Sequence, residues 1–188
     1  KWSTIKKSEL KFEQVKKIKK FSDQIGIEFF CSVFYPEAVN FLELLKVKKY
    51  KIASRTCLLK DPYSVDTLLA KARTKKPVII SMGMGGNIKK IKEIFKKNKK
   101  TFCYCISKYP TPINEINLSH VDFSKYTGFS DHSIGISAST AAFARGARIV
   151  EKHFTLNKKM YGPDHGGSMS PDELNALATF RDDFKLCL

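Results

Sequence analysis

The hydrophobic and polar positions of this chain alternate between two periods. Short runs rich in β-branched and aromatic residues predict strands, and longer segments with apolar residues every three or four positions predict helices. Six strand-like runs occur. They are IEFFCSVF (27–34), KYKIAS (49–54), PVIISMGM (77–84), TFCYCISKY (101–109), YTGFSD (126–131) and ARIVEKHFT (147–155).

Helical segments are predicted between these runs. An amphipathic helix precedes the first run, and the segment around Ile88, Ile91 and Ile94 has apolar residues on one face and lysines on the other. The last helix begins at a capping box, Ser170 to Glu173, with proline in its first turn. This alternation of strands and helices predicts a parallel α/β fold.

A doubly wound sheet and a (β/α)₈ TIM barrel both fit this alternation, and two features favour the barrel. No glycine-rich phosphate fingerprint opens a helix, and polar residues stand at the C-terminal end of nearly every strand-like run, where a barrel builds its active site. A closed barrel has eight strands and about 250 residues. The chain has 188 residues and six runs, so we predict one partial barrel domain over residues 1–188, with about strands 3–8 present.

The formal net charge is +16, mostly from lysine. A nucleic-acid surface, a general attraction of anionic substrates and the solvated faces of lysine-rich helices are the three interpretations. The lysines of residues 89–100 fill the polar side of a helical pattern, which favours the solvated faces. We therefore expect no nucleic-acid partner.

No apolar run approaches the roughly 18 residues that span a bilayer, and no signal-peptide pattern opens the sequence, so we expect no membrane partner. The chain begins with Lys1, and we expect that the true N-terminus lies upstream. Five cysteines occur without a CxxC pair, which argues against a zinc knuckle. We interpret them as small buried residues of a reducing compartment, the cytoplasm, with Cys103 and Cys105 on opposite faces of one strand.

Two histidines follow neighbouring strand-like runs, His132 in SDHS and His153 in EKHFT. Because adjacent strands lie about 4.8 Å apart, imidazoles leaving their ends could reach one divalent ion. Two protein nitrogens with open positions would suit Mn²⁺ or another exchangeable ion better than a closed zinc site. The alternative is two histidines bonded to backbone groups, and the spacing leaves both possibilities open.

Lys51 ends a strand-like run and is expected to point into the barrel mouth. A buried ammonium group needs a partner, such as a phosphate or carboxylate ligand, and Ser54 and Ser81 add hydroxyl donors nearby. Asp164 stands on a Gly/Pro-rich loop after His153. One interpretation is that it orients a substrate hydroxyl or a metal-bound water. The other is that it only stabilises the turn, as Asp and Gly commonly do.

The motifs KIAS, SMGM, SKYPTP, GFSDHSIG, EKHFTL and GPDHGGSMSPDEL occur in this order. Together they resemble the sialic acid synthases (N-acetylneuraminate synthases), with the related pseudaminic and legionaminic acid synthases. The resemblance runs from about residue 27 to the final helix and is most specific over residues 128–174. It implies a TIM barrel, usually followed by an antifreeze-like domain, and a homodimer in the full-length parent. The first two βα units and the antifreeze-like domain are expected to lie outside this chain.

The resemblance also implies an activity, the condensation of phosphoenolpyruvate with an N-acetylated hexosamine such as N-acetylmannosamine, with release of phosphate. It implies that His132 and His153 bind Mn²⁺, or Mg²⁺ or Co²⁺, and that Lys51 joins them in catalysis. Residues implied to bind phosphoenolpyruvate are Lys51, Ser54, Ser81, Ser107 and Ser130. Tyr109 and Asp164 are implied to line the sugar site.

Three positions depart from the family pattern. Thr56 stands where many members carry Glu, Ser107 where many carry Asn, and Met82 where many carry Thr. Ser107 and Met82 predict that the sugar differs from N-acetylmannosamine. With Thr56, a carboxylate group that could assist proton transfer or hold the sugar is absent. The alternatives are another phosphoenolpyruvate-dependent deoxy-keto-acid synthase and a non-catalytic homologue, and the fragment alone is expected to be inactive.

Overall fold

The computed structural model describes residues 9–187, and its centre is a parallel sheet of five strands. The spatial order of the strands equals their order along the chain. An order without reversal is that of a (β/α) barrel wall, because a doubly wound sheet reverses direction at its switch point. The strands are Tyr50–Ile52 (β1), Val78–Ser81 (β2), Lys100–Cys105 (β3), Gly128–Asp131 (β4) and Ile149–Lys152 (β5).

The helices flank this sheet. They are Phe12–Gln24 (α1), Pro36–Leu44 (α2), Ser64–Arg73 (α3), Ile88–Ile94 (α4), Ser137–Ala144 (α5) and Pro171–Leu186 (α6). Over residues 106–127, all of which the structure describes, β3 is joined to β4 by short 3₁₀ turns instead of an α-helix. The predicted capping box of α6 is present, since Ser170 N–H donates to the Glu173 carboxylate over 2.8 Å and Glu173 N–H to Ser170 Oγ over 3.3 Å. Within the described part of the chain, no helix is long and apolar enough to cross a membrane.

The first strand-like run does not join the sheet as a strand, so the prediction of six strands is wrong by one. Ser32 makes a single parallel bridge with Lys51, and residues 27–31 have no regular structure. The Lys71 ammonium group of α3 donates to the carbonyl oxygens of Val33, over 2.9 Å, and Lys51, over 3.2 Å. The Lys71 side chain therefore occupies carbonyl oxygens of the first run and of β1 that could otherwise accept backbone hydrogen bonds between the two segments.

The apolar core lies between the sheet and the helices. Tyr50 and Ile52 of β1 are fully buried against α2 and α3, and Phe129 of β4 is buried under α5. Residues that alternate with these point to the other side of the sheet. That inward side carries Lys51 and Ser130, so the barrel interior is polar at the C-terminal ends of the strands.

Candidate active site

The C-terminal ends of the strands surround a cavity of about 290 Å³. A smaller cavity adjoins it and shares Tyr109, His132 and His153 with it. Asp164 lines the smaller cavity, and Ser107 lies beside the larger one, with its Oγ 3.8 Å from Cys105 Sγ. The predicted site residues that line the larger cavity are Lys51, Ser54, Ser81, Tyr109, Ser130, His132 and His153.

Lys51 provides positive charge at one end of the larger cavity. Its side chain points inward and the residue is only 7% exposed. Its Nζ donates to Ser81 Oγ over 2.8 Å and to the Ile52 carbonyl oxygen over 3.1 Å. An ammonium group this buried is stabilised by an anion, and Glu151 Oε2 lies 3.4 Å from Nζ. The positive charge also allows this end of the cavity to accept a phosphate or carboxylate group.

The serine hydroxyls around Lys51 differ in what they can offer a ligand. Ser81 Oγ accepts its hydrogen bond from Lys51, and Ser54 Oγ accepts one from Gly83 N–H over 3.0 Å. A hydroxyl group that accepts a bond still has its own proton to donate. Ser130 instead donates its proton to Glu151 Oε2 over 2.5 Å, so it must rotate before it can bind a ligand.

Glu151 is a residue of the site that the sequence analysis did not name. Its Oε2 lies 3.4 Å from Lys51 Nζ and accepts the Ser130 hydrogen bond. The sequence does indicate this position: a strand has a period of two, and Glu151 stands two residues before His153, so both are expected on the same face. A carboxylate group in this position can balance the charge of Lys51 and can exchange a proton with a substrate.

The two predicted histidines lie together at the other end of the cavity. Their ring centroids are 5.8 Å apart and the rings are nearly perpendicular, at 86°. Tyr109 packs against both rings, 4.1 Å from His132 and 5.8 Å from His153 between centroids. His132 Nδ1 lies 2.7 Å from the Ile106 carbonyl oxygen. A carbonyl oxygen can only accept, so Nδ1 carries a proton, and in the neutral ring Nε2 has a lone pair for a ligand. Burial lowers the pKa of His132, but its hydrogen bonds with Cys105 and the Ile106 carbonyl outweigh burial and raise this pKa.

Two histidine nitrogens in this arrangement could bind a divalent ion that keeps open coordination positions. A backbone carbonyl that fixes one ring nitrogen and leaves the other free is typical of metal-binding histidines. Metal–nitrogen bonds are about 2.1 Å long, so rings at this separation are within the reach of one ion. Among residues 9–187, no three His, Cys, Asp or Glu side chains form a ligand group, which does not fit a closed structural zinc site.

Asp164 stands at the open side of the histidine pair. Its Oδ2 lies 3.8 Å from His153 Nδ1, and the two side chains are about half exposed. At this distance the carboxylate group can orient the His153 ring or a polar ligand. Thr56 is buried in a 3₁₀ turn and lines neither cavity.

The interpretation that Cys103 and Cys105 face opposite sides of their strand is wrong, because residues i and i+2 of a strand share a face. Cys105 Sγ lies 3.7 Å from Ser54 Oγ and 4.0 Å from His132 Nδ1, inside the site. Burial raises the pKa of the Cys105 thiol, but its hydrogen bond with His132, the positive charge of that ring and hydrogen bonds with Ser54 and Ser107 outweigh burial and hold this pKa below its usual value. Applied correctly, the strand period would have predicted Cys105 as a site residue.

The NeuB family model matches residues 1–185 of the chain. N,N'-diacetyllegionaminic acid synthase of Campylobacter jejuni is 36% identical over 188 residues, which cover 93% of this chain and 54% of that protein. Pseudaminic acid synthase of the same organism is 39% identical over 162 residues, covering 81% of this chain and 46% of that protein. The chain therefore spans about half the length of the curated relatives it matches.

The fold also matches a solved structure. The crystal structure of N-acetylneuraminic acid (sialic acid) synthetase from Leptospira borgpetersenii, in complex with citrate, superposes with a TM-score of 0.90 at 30% identity. The match covers 98% of this chain and 66% of that one. The strands and helices of this chain therefore form part of a barrel fold of the same kind.

Proposed function

The chain belongs to the NeuB family, and on this basis we propose that its protein condenses phosphoenolpyruvate with an N-acetylated hexosamine to form a nonulosonic acid. Inorganic phosphate is the second product. The names of the relatives support the product class, since they are legionaminic, pseudaminic and N-acetylneuraminic acid synthases. The observation that carries the proposal is the placement of buried Lys51 in the same cavity as His132 and His153.

We assign phosphoenolpyruvate to the Lys51 end of the cavity. Its phosphate and carboxylate groups would receive hydrogen bonds from Lys51, Ser54 and Ser81, whose donors converge there. These donors are fixed by the fold before the ligand arrives, so they can stabilise the negative charge that grows on the departing phosphate. Ser130 and Ser107 would add hydroxyl groups at the edge of this subsite.

We assign the aldehyde end of the sugar to His132 and His153, which would hold Mn²⁺ or another exchangeable ion such as Mg²⁺ or Co²⁺. When bound, such an ion polarises a carbonyl group as a Lewis acid. Tyr109 packs on both rings and would cover one side of the bound sugar. Asp164, on the open side, would accept a hydrogen bond from a sugar hydroxyl.

The bond changes fit this arrangement. C3 of phosphoenolpyruvate attacks the aldehyde carbon, whose oxygen takes up a proton, and water adds to C2. The C–O bond to phosphate then breaks. The added water loses two protons: one reaches the former aldehyde oxygen, and the other leaves with phosphate as the C2 keto group forms. We assign the first transfer to Glu151, whose carboxylate group lies between Ser130 and Lys51 in the cavity. Lys51 would stay charged throughout and bind the phosphate.

The test is an assay of phosphate release from phosphoenolpyruvate with Mn²⁺ and a panel of N-acetylated hexosamines. The protein is expressed with its flanking coding sequence, because this chain covers only about half the length of the relatives it matches. His132→Ala is expected to abolish release. His120→Ala is the matched control, since His120 is exposed on a 3₁₀ turn and lines neither cavity.

Two outcomes would contradict the proposal. Release with a phosphorylated aldose and with no N-acetylated hexosamine would indicate a deoxy-keto-acid synthase of another class. Absence of release with every sugar, from a folded protein, would indicate a non-catalytic homologue. Unchanged turnover in His132→Ala would remove the assignment of the histidines alone.

A further inference from the structure

A buried ion pair lies directly behind the two histidines. Lys152 Nζ is 3.0 Å from Asp131 Oδ2, and the two side chains are 2% and 0% exposed. Each of these residues precedes one of the histidines along the chain. By the strand period the side chains of the pair point toward the helices, where Asp131 accepts a hydrogen bond from Ser139 of α5. Both residues also contribute to the cavity walls beside the histidines, Asp131 to the smaller cavity and Lys152 to the larger one.

The hydrogen bonds of the pair connect the end of β4 with the end of β5. Asp131 Oδ1 accepts from the backbone N–H of Ser133 over 2.8 Å and from its hydroxyl group over 2.7 Å, and Oδ2 accepts from Ser139 of α5 over 2.5 Å. Lys152 Nζ also donates to the Ser133 carbonyl oxygen over 2.6 Å. The turn that follows His132 is therefore bonded to both members of the pair.

Stability alone does not explain charged residues at these positions. A buried ion pair is often no more stabilising than well-packed apolar residues of similar volume, because both charges lose their hydration. The register that places Asp131 opposite Lys152 is already set by the β4–β5 ladder. What the charged pair adds is a set of directional hydrogen bonds, which hold the ends of β4 and β5 and the turn at Ser133 at fixed distances from one another.

We infer that Asp131 and Lys152 are positioning residues that hold the His132 and His153 rings at the separation one divalent ion requires. This inference rests on the proposed function, because it takes the two histidines as metal ligands. A displacement of one strand end by about 1 Å would be half the length of a metal–nitrogen bond of about 2.1 Å. The affinity for the ion should therefore depend on this pair, although neither residue touches the ion.

The test compares Asp131→Asn, Lys152→Met and the double variant with the wild-type protein. Mn²⁺ affinity is measured by the loss of the free-ion signal in electron paramagnetic resonance, and stability by thermal unfolding. Each single variant leaves a buried polar group without its partner and should lower the melting temperature. The double variant removes the unpaired charge and should recover most of the melting temperature, while its Mn²⁺ affinity remains about 10-fold weaker than that of the wild type.

Lys76→Met is the matched control. It breaks the Lys76–Glu43 ion pair, 2.7 Å long, which lies before β2 and away from the cavity. This variant should lose stability without losing Mn²⁺ affinity. Wild-type Mn²⁺ affinity in all Asp131 and Lys152 variants would overturn the inference. Recovery of affinity together with melting temperature in the double variant would also overturn it, because the pair would then be structural only.

A second measurement separates this inference from the proposed function. In the metal-free protein, nuclear Overhauser contacts among the rings of Tyr109, His132 and His153 report the ring positions directly. If the wild-type protein binds no Mn²⁺, the metal assignment of the proposed function fails and these contacts decide the inference. Their loss in the double variant supports positioning by the pair, and their retention overturns it.

Discussion

Lys71 is a fully buried amine, and its charge should be measurable as a dependence of stability on pH. It is 0% exposed, and its Nζ donates to the carbonyl oxygens of Val33 and Lys51, which are neutral partners. Burial lowers the pKa of Lys71 to about 8. In the unfolded chain the same amine regains the ordinary lysine pKa of about 10.4.

The sign and the magnitude follow from this difference. Below pH 8 both states hold the proton, and the native state carries the full free-energy cost of the buried charge. Between the two pKa values the unfolded state binds more protons than the native state, so the free energy of unfolding rises with pH. A difference of about 2.5 pH units corresponds to about 3 kcal/mol, at about 1.4 kcal/mol per unit.

The perturbation is Lys71→Met, which keeps a long apolar side chain and removes the amine. Urea unfolding at pH 7 and pH 10 gives the free energy of unfolding of each protein. The wild type should gain about 2.5 kcal/mol over the variant between these two pH values, because Lys71 is almost fully deprotonated at pH 10. Lys89→Met, at an exposed position of α4, is the control and should show no such gain.

Groups that the wild type and the variant share, including the tyrosines and the other lysines, contribute equally to both free energies of unfolding. Their titration therefore cancels in the difference. A difference that stays constant within about 0.5 kcal/mol from pH 7 to pH 10 would refute the reasoning, since it would mean that Lys71 titrates alike in both states. A gain in the opposite direction would mean that the native state stabilises the charged amine.

Three further substitutions test the packing around the site. A Cβ atom at position 83 would lie 2.7 Å from Cys105 Sγ and Ser107 Oγ, so Gly83→Ala should cost about 1–3 kcal/mol in urea unfolding and weaken phosphoenolpyruvate binding measured by calorimetry; binding and stability equal to the wild type would contradict this. Phe129→Ala should cost about 3–5 kcal/mol in the same unfolding assay, because the ring is 2% exposed under α5, and a loss below 1 kcal/mol would mean that the region repacks. Ser170→Ala should cost about 1 kcal/mol through the lost cap of α6, whereas Ser170→Thr keeps the acceptor and should be close to neutral; equal losses in both would exclude the cap as the cause.

The alternation of polar and apolar residues predicts most of the sheet and the inner face of the site. Tyr50 and Ile52 pack against helices and Lys51 between them points inward, as a period of two requires. The same period also places Glu151 and Cys105 on the inner face, because Glu151 stands two residues before His153 and Cys105 two residues after Cys103. These two residues are therefore predictable from the sequence.

The first strand-like run is a different case. Its residues have the composition of a strand, yet it pairs with β1 only at Ser32. Whether a run becomes a strand depends on where its backbone groups find partners. Lys71, 38 residues after Val33, bonds the Val33 carbonyl oxygen. No local pattern shows such a contact between distant residues. Residues 106–127 also lack an α-helix, although the strand and helix alternation of the rest of the chain would predict one there.

The division between an apolar outer face and a polar inner face has a consequence for how such a protein can change over generations. The residues that hold the sheet to its helices, such as Tyr50 and Phe129, are not the residues that line the cavity. A replacement on the inner face alters what the cavity accepts and leaves the packing of the wall intact. Single replacements at the strand ends can therefore change the surface of the cavity without the loss of stability that replacing Tyr50 or Phe129 would bring.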